Sequence, residues 1–325
     1  MKNQDLINLI KYAIKAPSGH NSQPWKFKLQ KNCITILPDY ERILPVADPD
    51  NQELFISLGC ALENLIIAAG YFGYHTDIEM KMEDPHNESI RVRFSSGNNQ
   101  NYDQLFKNIE IRQSTRNKYN KALIPSADIE KLKEAGNQDQ VLLLLFTEPV
   151  QIEPIIEITK RATVLQLSKK EFIKELMQWI RFNRKTALKT GDGLYSGAIG
   201  SPSVPKWFGK FFIKLSLDPK REARKNVNLM ENSSGILIFI AKENNKEAWI
   251  NLGRSFQRVA LTATSLNINH AHINSACEEI AARKKLAEVL QLKPEEQPLL
   301  IIRIGYSEKR PYSFRRPLKE VLISK

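Results

Sequence analysis

The sequence has little cysteine and no long hydrophobic run. Its 325 residues include only three cysteines, Cys33, Cys60 and Cys277, which lie far apart and show no CxxC or Cys/His spacing. This scarcity indicates neither a disulfide framework nor a zinc site, so we expect buried, reduced thiols and no metal. No stretch of 18 apolar residues occurs, and the first residues do not resemble a cleavable leader. We therefore expect a soluble, cytoplasmic protein without a membrane partner.

The composition is that of an ordinary globular chain. Hydrophobic residues make up 42% and charged residues 26%, with 14 glycines and 16 prolines, which excludes a disordered or collagenous protein. The length allows about two domain-sized units. The net charge of +12 suits a polyanion, a phosphorylated ligand or simple solubility. Because no basic stripe with interleaved aromatics, helix-turn-helix or RNP-like pattern is present, we expect no nucleic-acid partner.

Hydrophobic periodicity predicts helices and strands along the whole chain. In the first part it predicts a helix at 5–15, a hairpin of strands 25–29 and 33–37, a long helix at 50–74, and strands at 78–82 and 90–94. After a turn-forming cluster at 95–99, it predicts helices at 102–109, 151–188, 246–268 and 278–291, and strands at 141–146, 236–241 and 298–305. Small residues along the helix at 50–74 predict close packing against another helix.

Two of the long predicted helices, at 50–74 and 246–268, resemble each other in sequence. At a constant offset of 194, residues 53–74 match residues 247–268 at Glu53/Glu247, Ile56/Ile250, Leu58/Leu252, Gly59/Gly253 and Ala69/Ala263. Five identities in 22 exceed chance modestly, and coincidence stays an alternative. An apolar strand precedes each helix, however, and further strand follows it. We therefore predict an α+β fold of two tandem halves, 1–100 and 101–325, whose central helices pack together.

A long connection rich in glycine and aromatic residues lies within the second half. Residues 189–214 contain five glycines, and Trp207, Phe208, Phe211 and Phe212 follow toward the end of this stretch. A wandering surface connection does not account for so many aromatic residues. We predict that this segment is a lid over a binding site.

Three polar or basic motifs are candidates for ligand binding. The loop at 16–27 combines hydroxyl and amide side chains, which hydrogen-bond a planar heterocycle without introducing charge. Residues 112–116 (Arg-Gln-Ser-Thr-Arg) project two guanidinium groups and two hydroxyls, a set suited to a terminal phosphate and its ribityl hydroxyls. Residues 313–321 supply another guanidinium pair after the last strand. Taken singly, each motif is also compatible with an ordinary solvated loop.

Together these motifs resemble the nitroreductase family of flavin oxidoreductases. The resemblance rests on residues 17–27 (Pro-Ser, then Asn-Ser-Gln-Pro-Trp-Lys-Phe), on Arg112, Ser114 and Arg116, and on residues 315–321 (Arg-Arg-Pro-Leu, then Glu-Val). It implies an α+β, nitroreductase-like fold, an FMN cofactor, and NAD(P)H and a small acceptor as partners. The residues that it implies bind FMN are Pro17, Ser18, Asn21, Gln23, Arg112, Ser114, Arg116, Arg315 and Arg316.

The chain departs from the family pattern in two places. In ordinary members the Arg motif opens the chain, the Pro-Ser loop follows, and each flavin lies across a homodimer interface. Here the order is reversed, which resembles the fused branch typified by mycobacterial Acg proteins and implies one FMN per chain, a monomeric pseudo-dimer and a lid at 189–214. The family also has a Pro-Ile-x-Gly-Phe-like segment whose backbone N–H meets flavin N5. This chain has Ala-His-Ile-Asn-Ser at 271–275, so Asn274 and Ser275 stand at that position.

The resemblance implies hydride transfer from NAD(P)H to nitro, quinone or similar small acceptors by a ping-pong mechanism. His20 and His272 lie in the loops expected to flank the ring, so they are the candidate catalytic residues, as proton or hydrogen-bond donors. For both, an ordinary polar surface position is the alternative, and we expect no special role for His75, His86 or His270. The alternative function is binding or sequestration of a lid-covered FMN with little turnover, which the altered 271–275 segment favours.

Overall fold

The computed structural model describes residues 2–85, 87–97 and 102–323, without the side chains of residues 214 and 216. His86 and part of the predicted boundary at 95–99 therefore lie outside the described residues. The helices are α1 (Asn3–Ala13), α2 (Gln52–Tyr71), α3 (Asp103–Asn108), α4 (Ser126–Gly136), α5 (Pro149–Ser168), α6 (Lys170–Trp179), α7 (Arg184–Thr190), α8 (Lys206–Ser216), α9 (Pro219–Glu231), α10 (Lys246–Ser265), α11 (Ser275–Glu278), α12 (Ile280–Val289) and α13 (Leu318–Val321). The strands are β1 (Trp25–Gln30), β2 (Cys33–Pro38), β3 (Tyr74–Lys81), β4 (Ser89–Ser96), β5 (Val141–Phe146), β6 (Ile180–Arg181), β7 (Leu194–Tyr195), β8 (Gly235–Ala241), β9 (Asn269–His272) and β10 (Gln297–Gly305).

The first sheet has the order β1-β2-β4-β3, and all its neighbours are antiparallel. The predicted hairpin is confirmed, since Trp25 pairs with Pro38 and Gln30 with Cys33. Asn32 takes a left-handed backbone conformation (φ 51°) at its turn, which asparagine tolerates better than most residues. The strands predicted at 78–82 and 90–94 correspond to β3 and β4.

The second sheet has the order β5-β8-β10-β9 and is also antiparallel. β8 precedes α10 as β2 precedes α2, and β9 follows α10 as β3 follows α2, so the two sheets have equivalent orders. The strand predicted at 141–146 is formed, but only Val141 is fully buried. The reason is that β5 lies at an edge and pairs with β8 alone.

The central helices α2 and α10 cross at two glycines, Gly59 and Gly253. A Cβ added to Gly59 would lie 2.0 Å from the Ile250 carbonyl oxygen, and a Cβ added to Gly253 would lie 2.0 Å from the Ile56 carbonyl oxygen. The close helix packing expected from the small residues is thus confirmed. The offset of 194 that aligns the two helices relates Gly59 to Gly253 and Ile56 to Ile250, so the contact is reciprocal. This reciprocity supports the predicted tandem halves. By length and composition α2 alone among the described helices could span a membrane, yet it is almost wholly buried as a core helix.

Several predicted elements differ from the observed ones. The helix predicted at 151–188 is three helices, α5, α6 and α7, because the backbone is extended at Lys169 and again at Ile180. The helix predicted at 278–291 is likewise divided, at Glu279. The 189–214 segment is not a loop throughout, since α8 begins at Lys206. The sequence analysis did not predict α4 or α9.

Candidate functional site

The loop between α1 and β1 forms one wall of a cleft. Its chain turns sharply because His20, Asn21 and Gln23 all adopt left-handed conformations (φ 48°, 54° and 54°). Ser18 Oγ accepts a hydrogen bond from the Gln23 backbone N–H at 2.9 Å, which closes the turn. As a result Pro17, Ser18 and His20 line the cleft.

The two amide side chains of this loop bind neighbouring backbone segments. Asn21 Nδ2 donates to the Gly193 carbonyl at 3.1 Å, and Asn21 also lines the cleft. Gln23 Nε2 donates to the Gly191 carbonyl at 2.9 Å, and Gln23 Oε1 accepts from the Arg316 backbone N–H at 2.9 Å. Gln23 is fully buried and lines no part of the cleft. Its side chain therefore fixes the loop against the 191–193 and C-terminal segments.

The 112–116 segment faces the same cleft. Arg112, Ser114 and Arg116 line its narrower end, where Arg315 joins them. The Nε atoms of Arg112 and Arg315 are buried without a hydrogen-bond partner. Within residues 2–85, 87–97 and 102–323, no carboxylate forms an ion pair with Arg112, Arg116 or Arg315. The structure thus brings the predicted arginine motif and the predicted loop together.

Buried guanidinium groups make this end of the cleft strongly electropositive. Burial lowers the pKa of Arg112 to about 10, and burial together with the charge of Arg112 lowers the pKa of Arg315 to about 9. The pKa of Arg116 is also lowered, first by burial and then by the charge of Arg303. All three remain protonated at neutral pH. A phosphate is the kind of group that would bind there, because it accepts charge-assisted hydrogen bonds from several guanidinium groups at once.

A larger part of the cleft, about 230 Å³, adjoins the arginine end. Pro17, Ser18, Arg116 and Leu194 line both parts. The other walls of the larger part come from α2, from α10 and from the strands next to it, and include Ile56, Ser57, Cys60, Phe256, His272, Asn274 and Leu300. Leu194 and Ile199 belong to the predicted lid segment, so that segment does reach the cleft.

His20 and His272, the predicted catalytic residues, both line this larger part. Burial and the charge of Arg116 lower the pKa of His20 to about 4. Burial, Arg116 and Arg112 lower the pKa of His272 to about 3. Both imidazoles are therefore neutral at physiological pH and can donate one hydrogen bond and accept one. His20 Nδ1 is buried without a partner in the described chain.

His270, to which we assigned no special role, lies directly behind the arginine motif. The Thr115 backbone N–H donates to the His270 carbonyl at 2.9 Å, and the ring is buried with neither nitrogen hydrogen-bonded to a described residue. Burial, Arg112 and His272 lower its pKa well below the ordinary value. The backbone of His270 therefore holds the arginine motif against β9, and its imidazole is neutral.

A pair of carboxyl groups in the larger part of the cleft was missed by the sequence analysis. Glu53 on α2 and Glu278 on α11 share a hydrogen bond, which requires a proton because a carboxylate has no donor. Asn274 Nδ2 donates to Glu53 Oε1 at 3.1 Å, and Gln166 Nε2 donates to Glu278. Burial raises the pKa of Glu278, and burial with the charges of Glu278 and Asp48 raises the pKa of Glu53 well above its ordinary value.

The remaining predicted site residues take different positions. Asn274 lines the larger part of the cleft. Ser275 Oγ instead lies 2.8 Å from Thr163 Oγ1, and this side chain lines neither part. Arg316 donates to Asp39 Oδ2 at 3.1 Å and is buried behind the loop. The side chains of Ser275 and Arg316 therefore support the walls of the cleft and do not face into it.

A cavity of about 560 Å³ at the C-terminal end of α2 is a weaker candidate. Arg254 and Arg258 line it, but both pair with the buried Glu63, which offsets part of their charge. Gly97 and Tyr102, which also line it, adjoin residues outside the described ranges. The arginine-lined cleft is therefore the candidate site.

The fold and the cleft define an α+β protein with two equivalent antiparallel sheets, paired central helices and an electropositive, arginine-lined cleft. No family model matches the chain. Two curated proteins of Mycobacterium tuberculosis, Rv3131 and Acg, both provisionally named NAD(P)H nitroreductases, are 22% identical to it over 322 and 333 residues. The alignments cover 97% and 99% of this chain and 90% and 96% of the relatives. This similarity confirms the resemblance to the nitroreductase family, and within it to Acg, together with the expected nitroreductase-like fold class.

Solved structures are similar as well. A nitroreductase with bound FMN from Bacteroides fragilis superposes with a TM-score of 0.38 and 16% identity, covering 63% of this chain and 88% of that chain. A nitroreductase-like family protein from Bacillus cereus superposes with a TM-score of 0.41 and 12% identity, covering 68% of this chain and 95% of that chain.

Proposed function

We propose that the chain is an FMN-dependent oxidoreductase that transfers hydride from NAD(P)H to nitro, quinone or similar small acceptors by a ping-pong mechanism. The observation that carries this proposal is the convergence of Arg112, Arg116 and Arg315, without a carboxylate partner in the described chain, at one end of a cleft. The other end lies between the neutral side chains of His20 and His272. A planar ring with a phosphate tail has the matching polarity.

The residues present fit FMN. Arg112, Arg116 and Arg315 would hold its phosphate, and Ser114 its ribityl hydroxyls. The buried Nε atoms of Arg112 and Arg315 lack acceptors, and a phosphate would supply them, since buried donors are otherwise costly. His20 Nδ1 offers a further contact in the wider part. When bound, FMN supplies the ring that takes up and releases hydride, and the protein binds and orients it.

The chain's own residues would position the reactants and supply a proton. Because His20 and His272 are uncharged at neutral pH, they act as hydrogen-bonding groups and not as imidazolium acids. The shared proton of Glu53 and Glu278 lies at the wall of the same cavity and is available to an acceptor that has gained a hydride. Leu194 and Ile199 line the cavity and would limit the access of water to a bound ring.

Sequestration of FMN without turnover is the second candidate function. It is favoured by Leu194 and Ile199 of the predicted lid segment, which line the cavity. It is also favoured by Ser275, which stands where the family has glycine and whose hydroxyl contacts Thr163 of α5. Such a protein would bind FMN as the enzyme does but would not pass electrons to an acceptor.

Mixing the purified holo-protein with NADPH under anaerobic conditions separates the two functions. Rapid bleaching of the flavin absorbance, restored by adding a quinone or a nitroaromatic compound, supports the oxidoreductase. An oxidised spectrum that persists with both NADPH and NADH supports sequestration. Protein purified without any flavin absorbance, and unable to take up added FMN, would contradict both.

A further inference from the structure

Helix α8 presents an apolar face to the outside. The exposed fractions are 73% for Trp207, 60% for Phe211 and 76% for Leu215, and Phe208 and Phe212 are exposed as well. At about 100° per residue, these five positions occupy one face roughly 140° wide. Exposed apolar side chains are normal when scattered, but a contiguous group of this kind marks an interaction surface.

The opposite side of α8 is the one that contacts the protein. Gly209 is buried, and a Cβ added there would lie 2.1 Å from the Phe182 ring. On a helical wheel Gly209 lies roughly 130° from the centre of the apolar face. Docking through Gly209 therefore leaves the aromatic side chains exposed, with Trp207 and Phe211 beside α6.

The segment that contains this face is strongly basic. Residues 169–225 contain fourteen Lys and Arg but five Asp and Glu, a net charge of +9 out of the +12 of the whole chain. On the same wheel Lys210 lies about 60° beyond Trp207 and Lys206 lies opposite the apolar face, while Lys170 and Lys174 on α6 line a groove of about 600 Å³ with Trp207, Lys210 and Phe211. All four lysines are exposed.

We propose that α8 is an interfacial anchor that binds the surface of an anionic lipid bilayer. A helix with aromatic and leucine side chains on one face and lysines beside them lies in the membrane plane, with the apolar face among the headgroups and upper acyl chains. The lysines beside the groove favour this occupant: a second copy would bring like charges together, and a nucleic acid would leave Leu215 and Phe211 unburied. The expectation of no membrane partner rested on the absence of a spanning segment, which does not bear on surface binding.

Vesicle flotation of the holo-protein tests the proposal. We expect binding to vesicles of phosphatidylcholine and phosphatidylglycerol at about three to one, weakening as salt rises, and much weaker binding to phosphatidylcholine alone. Trp207 fluorescence should shift to the blue on binding. Trp207→Phe should abolish that shift while the protein still floats.

A triple variant shows whether α8 is the surface involved. Trp207→Ser with Phe211→Ser and Leu215→Ser should lower the partition coefficient at least tenfold, since binding scales with the apolar area buried. The matched control, Leu123→Ser with Val150→Ser and Leu165→Ser, removes three exposed apolar side chains elsewhere and should bind as the wild type does. Because all six positions are exposed, both variants should retain the wild-type circular dichroism.

Four results would overturn the proposal. They are failure of the wild type to float with anionic vesicles, equal loss of binding in the two triple variants, a concentration-dependent dimer that only the α8 variant abolishes, and duplex DNA binding that depends on Trp207. The third result would identify a second copy as the occupant of the face, and the fourth a nucleic acid.

Discussion

Single residues determine the charge of the cleft, and within the described residues no carboxylate neutralises its three arginines. Burial lowers the pKa of Arg112, Arg116 and Arg315. The charge of Arg112 lowers the pKa of Arg315 further, and the charge of Arg303 does the same for Arg116. Buried like charges without partners cost free energy. An anionic ligand removes that cost when it binds, so the affinity for the ligand should depend chiefly on these three side chains.

Replacing Arg112 and Arg116 together by alanine is expected to yield mostly apo-protein. The pair should account for about 2–5 kcal/mol of the free energy of FMN binding, because each side chain makes charge-assisted contacts with phosphate. Flavin released on denaturation, measured per chain, checks this. Lys107→Ala with Lys118→Ala removes the same charge from exposed positions and should leave the flavin content unchanged. Full flavin content in the arginine variant would place the site elsewhere.

Glu53→Gln is expected to change how the stability of the apo-protein depends on pH. The pKa of Glu53 is raised above its ordinary value of 4.5, so the folded state retains a proton that the unfolded chain releases. This contribution is complete below about pH 4.5 and is lost as pH rises through the raised value. The free energy of unfolding of the variant relative to the wild type should therefore increase from pH 5 to pH 8, by up to about 1.4 kcal/mol per pH unit while one proton is involved.

Urea unfolding at each pH measures that difference. Glu130→Gln, at an exposed position on α4, serves as the control and should give a curve parallel to the wild type. If the Glu53→Gln curve is also parallel, Glu53 does not retain a proton in the folded state.

At the scale of elements, the crossing of α2 and α10 is the contact most sensitive to substitution. Gly59→Ala and Gly253→Ala each place a methyl group against a backbone carbonyl 2.0 Å away. Each should destabilise the protein by about 1–3 kcal/mol, whereas alanine in an uncrowded helix would stabilise it by about 1 kcal/mol. The Tm measured by thermal unfolding shows whether each substitution destabilises or stabilises the protein. An increase in Tm for either variant would contradict the observed packing.

The elements that could be predicted from the sequence are those with a strong apolar period. The β1–β2 hairpin and α10 have such a period, and α2 and β10 are recognisable instead as nearly continuous apolar segments. α4 and α9 were missed because each buries only two residues along its length. α8 was assigned to a lid because its aromatic residues were expected to cover a ligand, whereas the structure directs them outward. Only tertiary docking through Gly209 decides which side of that helix is buried.

The cleft was predictable in its motifs but not in its individual contacts. The motifs located Pro17, Ser18, Asn21, Arg112, Ser114 and Arg116, and the structure brings them together. Whether a side chain faces the cleft or supports its wall depends on its partners, as Gln23 and Arg316 show by bonding to each other. Glu53 and Glu278 are 225 residues apart, and no local pattern marks their meeting.

At the scale of the whole molecule, we propose that one chain is a complete functional unit. The arginine motif and the amide loop come from the two predicted halves, and they meet within one chain. Sedimentation equilibrium should therefore give the mass of a monomer, 37.3 kDa plus one flavin, and denaturation should release one FMN per chain. Two FMN per chain, or flavin retained only by a dimer, would contradict the proposal.

The reciprocal contact of Gly59 and Gly253 has a consequence for how such a protein can evolve. In a symmetric dimer one codon specifies both glycines, so any mutation alters both subunits and both binding sites change together. In this chain two codons specify them, and a mutation in one is not copied to the other. If the chain consists of two tandem halves, as we propose, each half is under its own selection, and one can lose its share of a second site while the first persists.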